Sequence, residues 1–369
     1  MQLDSAESAG GRLGAVLSAP RTGLVRLGAK GPWLASTPAV ARQVLMDPVR
    51  FDFPGDVSRS GDLSGSTGET RSGHTVFAPL TPAQVAVGST IFDLEWARVV
   101  AEHDRVAHGT PYDAMLALRL PVARSTAAAV LPSVEEESRN AIGDLTLTWI
   151  DALGPVIAAR RPPARWSRKR RNEQIARVAL EDALDALPDH GRSATQAATM
   201  LAAGIQVPIA AGSFLLAWIA QHSTRAVDPL NAVWETIRLT PPTWITPRIT
   251  AEDVEIDGQV IPAGRVILVS PLLLGRFPDL VPGEPAELDR FSPQRWEGTR
   301  RRPGAWLPFG AGPHACPGRT LGLAQLVSLA TWALSREITL SERAGIDQSR
   351  GIFPAPCRFT VSARRKASP

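Results

Sequence analysis

The chain has 369 residues, 44% of them hydrophobic and 21% charged, which is enough apolar material to bury a large core in one big domain or two ordinary ones. Its formal net charge of +4 favours acidic partners but is too small to argue for nucleic acid. Two cysteines far apart in sequence make no disulfide framework, which points to a reducing, cytoplasmic setting, and the first residues, MQLDSAESAGGRLG, do not read as a secretory signal.

In chain order, GLVRLG (Gly23 to Gly28) and PWLAST (Pro32 to Thr37) read as short strands. PAVARQVLMDP reads as a helix with Pro38 in its first turn. Residues 54–73 are Gly/Ser-rich and polar and read as a mobile loop. From Ala83 to Trp234 the patterns are mostly helical, interrupted by a basic, proline-containing connector, Arg160 to Arg171, that reads as a solvated loop or as a docking surface for an acidic partner. Met200 to Ala220 carries no charge and is long enough to cross a bilayer. Its Ala/Gly content, with Gln206, Pro208 and Ser213 inside it, favours the buried core helix of a soluble protein. After Thr250 two β-rich runs flank Asp257-Gly258, a strong hairpin signal, and the C-terminal residues read as another strand pair. The fold class is therefore mostly α with small peripheral β-sheets.

The run LPFGAGPHACPGRTLGLAQL places Cys316 among glycines and prolines directly before a helical pattern. A thiol near a helix N-terminus is favoured as thiolate by the macrodipole and nearby free amides. Pro317 suits the first helical position, and Gly310, Gly312 and Gly318 let the backbone approach something flat. His314 offers a donor to an anion, and Phe309 an apolar contact. A nucleophile, a zinc ligand and an axial heme ligand all need such a thiolate. One thiolate in a glycine cradle suits heme iron best.

FGAGPHACPG resembles the heme-ligand loop of the cytochrome P-450 superfamily, F-x-x-G-x-x-x-C-x-G, with Phe309, Gly312, Cys316 and Gly318 at the matching positions. The resemblance implies a single domain over 1–369, with heme b between a long central helix and the helix after the cysteine loop, and Cys316 as the iron's axial ligand. It also implies that Glu235 and Arg238 of WETIRLTPP pair with Arg295 of FSPQRW in a structural triad, and that Arg248, His314 and His74 contact heme propionates. The triad would lock the segment leading to the cysteine loop, because charges buried together need mutual pairing.

The sequence departs from that family in three places. The central helix of the family carries an acid and an alcohol after an Ala-Gly pair, and these deliver protons during oxygen activation. Here Ala203-Gly204 is followed by Gln206 and Val207 at those positions, and neither titrates. Pro208 removes the amide that would bond the Gly204 carbonyl, so a kink is expected. A second register, at Ala211-Gly212, is followed by Ser213 and Phe214 and restores no acid–alcohol pair. No basic residue follows His74 until Arg98, on the stretch that in the family meets an electron donor, and the connection between the central helix and Glu235 is short.

Three functions compete. The first is a monooxygenase acting on a small apolar natural product, fed by an acidic ferredoxin or another electron donor, with Trp244 and Ile245 forming an apolar pocket wall. The second is a non-standard heme-thiolate enzyme: peroxide-driven oxidation, oxidative ring formation or redox-neutral rearrangement. The third is a non-catalytic heme-binding protein. An acidic carrier protein at Arg160 to Arg171 is a further partner expectation, and no membrane span is expected.

Overall fold

The computed structural model describes residues 10–53, 76–106, 110–159, 163–164, 166–188, 190–222, 227–299, 301, 303–348, 353–355 and 357–363. The expected mobile loop at 54–73 and the His74-Thr75 pair lie outside the described residues. The chain forms two compact units. Unit 1 takes Met1–Ala78, Trp234–Pro317 and Ile346–Ile352, and unit 2 takes Pro79–Val233, Gly318–Gly345 and Phe353–Pro369.

Unit 1 starts with α1 (Gly11–Leu17), β1 (Leu24–Arg26), β2 (Trp33–Ala35), α2 (Pro38–Met46) and β3 (Phe51–Asp52). α2 opens as its sequence requires, with Thr37 extended at the N-cap and Pro38 at the first helical position. In unit 2, α3 (Pro82–Val106) leads through β4 (Tyr112–Asp113) into α4 (Ala114–Val130), whose N-cap Asp113 accepts from the Leu116 amide at 3.0 Å. Next come α5 (Glu136–Ile157), α6 (Arg168–Asp185) and α7 (Ala194–His222). The connector before α6 is shorter than its sequence implied. Ser167 caps the helix and Arg168 opens it, so the last basic residues of the run are helical.

α8 (Pro229–Leu239) follows α7 after six residues, 223–228. Unit 1 then continues with β5 (Thr246–Thr250), the hairpin of β6 (Val254–Ile256) and β7 (Gln259–Ile261), β8 (Val266–Val269) and α9 (Pro271–Leu274). Asp257 and Gly258 both have positive φ, 55° and 71°, as a two-residue hairpin turn demands. Five strands form one mixed sheet in the order β1-β2-β8-β5-β3, with β2 and β8 parallel and the other pairs antiparallel. The chain closes with α10 (Arg319–Leu334), β9 (Arg336–Leu340), β10 (Ile346–Asp347), β11 (Phe353–Pro354) and β12 (Arg358–Ala363). β12 pairs antiparallel with both β9 and β4 in unit 2.

α7 is the axis of unit 2, packed on by α4, α5, α6, α10 and β9. It alone, among the described residues, is long and apolar enough to cross a membrane, and most of its apolar stretch is buried. From Ile209 to Ile219 every residue is buried, which explains its lack of charge by core packing. Pro208 sits inside the helix without ending it. The Gly204 carbonyl left without its amide is taken instead by the Thr126 hydroxyl of α4, at 3.2 Å. A β-carbon on Gly204 would lie 2.9 Å from Thr126 Cγ2, so a glycine here permits the close approach.

Thr126→Val keeps the shape and removes the donor. Chemical denaturation should show a loss of about 1–3 kcal/mol, with Thr126→Ser close to the parent. Equal stability of the Val variant would mean the bond contributes nothing.

Candidate functional site

The cysteine loop belongs to unit 1, and three backbone reversals shape it. Leu307, Gly310 and Gly312 all have positive φ, at 61°, 70° and 70°. For Leu307 that conformation is costly, and the surrounding turns must hold it. The amide of Cys316 donates to the Phe309 carbonyl at 2.8 Å and closes the loop. Gly312 is required for a local reason: a β-carbon there would lie 2.6 Å from the Leu45 carbonyl oxygen at the end of α2. Gly318 has open space where a side chain would point. The glycines therefore divide into two that shape the loop and one that leaves a surface bare. Pro317 precedes α10 and does not open it, because Gly318 is the N-cap and Arg319 the first helical residue. Cys316 thus sits just outside the helix, and its side chain is exposed.

Cys357 is its physical opposite. It is buried in unit 2 beside the Ser213 hydroxyl, and burial pushes its thiol up to about 12. Iodoacetamide at neutral pH should label Cys316 of the heme-free protein and spare Cys357, as peptide mass spectrometry would reveal. Faster labelling of Cys357 would contradict this burial.

Behind the loop lies a saturated ionic cluster, also in unit 1. Glu235 and Arg238 are fully buried. Arg238 holds Glu235 through Nε at 2.9 Å and Nη2 at 2.6 Å, and Arg295 Nε reaches the same carboxylate at 2.8 Å. The Trp296 indole and the Ser292 amide each add a bond at 3.0 Å. The remaining guanidinium protons go to carbonyls. Arg238 binds those of Gly275, Leu288 and Arg290, and Arg295 those of Pro282, Glu287 and Arg290. One carboxylate is thereby shared by two guanidiniums, and the remaining positive charge is solvated by backbone carbonyls, the kind of hydrogen bonding under which burial is tolerated. Glu235→Ala would leave two buried guanidiniums unpaired, at a cost of about 3–5 kcal/mol. Expression should yield little soluble protein. A soluble variant with parental stability would show the cluster to be dispensable.

From that cluster a line of rings runs to the loop. Trp296 lies 5.2 Å from Trp306, Trp306 lies 5.9 Å from Trp234, and Trp234 meets Phe309 edge-on at 6.1 Å. Phe309 therefore packs on the protein's own aromatic chain.

A third group gathers on Phe53. Arg248 is buried, with its guanidinium 3.8 Å above the Phe53 ring, and its Nη1 donates to its neighbour's carbonyl, Pro247, at 2.9 Å. Among the described residues no carboxylate lies within ion-pair distance of it. Burial lowers its pKa to about 10, opposed in part by the more distant Asp52. His314 meets the same ring edge-to-face at 4.8 Å. The structure thus brings Arg248 and His314 together through Phe53, a residue with no sequence signal of its own. His74 lies outside the described residues. Trp244 and Ile245 are half-buried just before β5.

In unit 2, burial separates the two registers on α7. Ala211, Gly212 and Ser213 are buried, and a β-carbon on Gly212 would press on Leu118 and Leu329 at 2.8 and 3.0 Å. Ala203 and Val207, one turn apart, are exposed, and Gln206 is half-buried beside them. The open stretch of α7 is therefore the Ala203-Gly204 register, and it presents a methyl, an isopropyl and an amide.

Comparison with known proteins places these features. The sequence model of the family described as Cytochrome P450 matches residues 230–337, which span α8, the ionic cluster and the cysteine loop. A cyclooctat-9-en-7-ol 5-monooxygenase of Streptomyces melanosporofaciens is 26% identical over 376 residues, covering 85% of this chain and 81% of that protein. A sterol 14alpha-demethylase of Mycolicibacterium vanbaalenii is 33% identical over 116 residues, 30% of this chain and 25% of the other. Among solved structures, the hydroxylase HmtN is similar with a TM-score of 0.69 at 18% identity, over 95% of this chain and 96% of that one.

Proposed function

The chain belongs to the cytochrome P450 superfamily of heme-thiolate oxidoreductases, and on that premise we propose that it is a monooxygenase acting on a compact apolar natural-product intermediate with electrons from an acidic ferredoxin. The cofactor is heme, which supplies the oxidising chemistry when bound. The observation that carries the reading is the loop that holds the exposed Cys316 thiol just ahead of α10, closed by its own amide on Phe309. In this reading Cys316 is the iron ligand, and the bare surface at Gly318 leaves room beside it. The substrate class rests on the relative named as a cyclooctat-9-en-7-ol monooxygenase, and on the apolar Trp244 and Ile245.

The residues fit a heme in a second respect. A buried Arg248 whose pKa is pulled down by desolvation has no carboxylate partner among the described residues, and a propionate would supply an anion through charge-assisted hydrogen bonds. His314, on the other side of Phe53, offers a further donor. Arg248→Ala should speed heme transfer to apomyoglobin while leaving the fold intact. An unchanged transfer rate would place the propionate contacts elsewhere.

The open face of α7 favours a second reading within the same chemistry. Ala203, Gln206 and Val207 hold no group that titrates, so a proton must reach the site through water or a polar group of the substrate, or arrive with a peroxide oxidant. The experiment is product formed per NAD(P)H with ferredoxin and reductase, set against product formed with hydrogen peroxide. Coupled turnover with NAD(P)H supports the monooxygenase, and efficient turnover with peroxide alone supports the second reading. In either case the Gln206→Glu, Val207→Thr double variant should leave rate and coupling within about two-fold of the parent, since the change falls well below the 10²-fold scale of a working acid–base group. A large rise in coupling would show that α7 carries the relay after all.

A further inference from the structure

Met46, the last residue of α2 in unit 1, is open to solvent and at the same time leans on the cysteine loop. The core-facing residues of that helix are Val40, Ala41, Val44 and Leu45, whereas Met46 is 54% exposed. Met200 is buried and Met115 half-buried, so Met46 is the exposed methionine among the described residues. Its sulfur lies against Gly312, four residues before Cys316. A β-carbon on that glycine would be 3.3 Å from Met46 Sδ, 3.1 Å from Met46 Cα and 2.6 Å from the Leu45 carbonyl oxygen.

Both backbones at this contact are tied. Gly312 is held at φ 70°, and its carbonyl accepts from the Ala315 amide at 3.0 Å. The end of α2 is fixed by Asp47, whose side chain accepts from the Arg50 amide at 3.0 Å and whose carbonyl accepts from the Phe51 amide at 3.0 Å. A change of size or polarity at the sulfur therefore falls on the loop. A thioether is oxidised at its own sulfur, needs no ionisation, and turns from a flexible apolar group into a polar, chiral one.

We infer that Met46 is a site of reversible oxidation by hydrogen peroxide, and that its sulfoxide loosens the cysteine loop and with it the hold on heme. The sulfur attacks one oxygen of the peroxide, and the S–O bond forms as the O–O bond breaks. The sulfur gives up two electrons, and the departing hydroxide takes the proton from the transferred oxygen and leaves as water. The new S–O dipole stands beside that of the Leu45 carbonyl, and on the Gly312 side there is no space for even one added carbon. The side chain must turn off the glycine into water, and the loop loses an apolar support. Methionine sulfoxide reductases reverse the step: the oxygen leaves as water while two thiols become a disulfide. The heme consequence rests on the reading of Cys316 as the iron ligand, whereas the modification and the loosening of the loop do not. Peroxide is the oxidant in the second functional reading. In the first it forms wherever two electrons from NAD(P)H and two protons reach dioxygen without oxidising a substrate.

The test treats the heme-loaded protein with hydrogen peroxide, quenches it with catalase and maps the products by peptide mass spectrometry. Met46 should be oxidised ahead of Met115 and Met200. Hydrogen exchange at the Cys316 amide should rise about ten-fold. Transfer of the surviving heme to apomyoglobin should speed up by a similar factor. The methionine sulfoxide reductases, one for each sulfoxide epimer, should restore the parental values with a dithiol present. Met46→Leu should show neither change at the same dose. Met46→Gln, polar with no oxidant added, should show both changes untreated, which separates the effect from peroxide damage to heme or to Cys316. Oxidation of Met115 or Met200 first would overturn the inference. So would parental exchange in both the Met46 sulfoxide and the Met46→Gln protein, or equal changes in Met46→Leu. Faster exchange with unchanged heme transfer would uphold the site and its grip on the loop, and would count instead against Cys316 as the anchor of the heme.

Discussion

The carboxylate of Glu235 is the point on which unit 1 depends. It receives five hydrogen bonds: two from Arg238, one from Arg295, one from the Trp296 indole and one from the Ser292 amide. A buried ion pair by itself adds little stability, because desolvation offsets the Coulombic gain. What the cluster does is geometric. Its two guanidiniums bind five carbonyls between Gly275 and Arg290, a stretch whose backbone otherwise bonds only through turns and short helical turns. Gly283 belongs to the same construction, since a β-carbon there would lie 2.6 Å from Arg295 Nη1. Trp296 passes the position on to Trp306, Trp234 and Phe309, and the Phe309 carbonyl holds the Cys316 amide. The thiol is thus fixed by a chain of contacts that begins at one carboxylate.

The cysteine loop and the triad were legible in the sequence because their residues recur at fixed spacing within one short region, 235–318. The hairpin at Asp257-Gly258 was legible because only two residues set its geometry. The contacts of the loop glycines were not. Gly312 is needed because Leu45, from α2, lies against it, and spacing alone does not show that neighbour. Thr126 was equally hidden. The sequence exposes the carbonyl freed by Pro208, but the hydroxyl that satisfies it lies 78 residues away and is brought there by the packing of α4 on α7. The freed carbonyl is met by that hydroxyl. Phe53, between Arg248 and His314, carries no pattern at all, since a single aromatic residue beside a Gly/Ser-rich stretch has many structural uses. The two registers for α7 were also open in sequence, and burial separates them, because Gly212 is pressed between Leu118 and Leu329 while Ala203 and Val207 are bare.

The two units therefore carry different kinds of information. Unit 1 holds a hydrogen-bonded ionic frame, an exposed thiol and a buried arginine above the Phe53 ring. Unit 2 holds a central helix packed mostly as core, whose open Ala203–Val207 stretch lacks titratable chemistry. In the proposed function, heme-thiolate chemistry rests on the first set, and the source of protons is a separate requirement met by substrate, solvent or oxidant.

The most direct test of the account is the carbon monoxide difference spectrum of the reduced, heme-loaded protein after each cysteine is replaced in turn by serine. The account predicts that Cys357→Ser keeps the red-shifted band of a thiolate-ligated heme and that Cys316→Ser loses it. A thiolate band that persists in Cys316→Ser, or disappears in a folded Cys357→Ser protein, would contradict the assignment of the loop as the source of the iron's sulfur ligand.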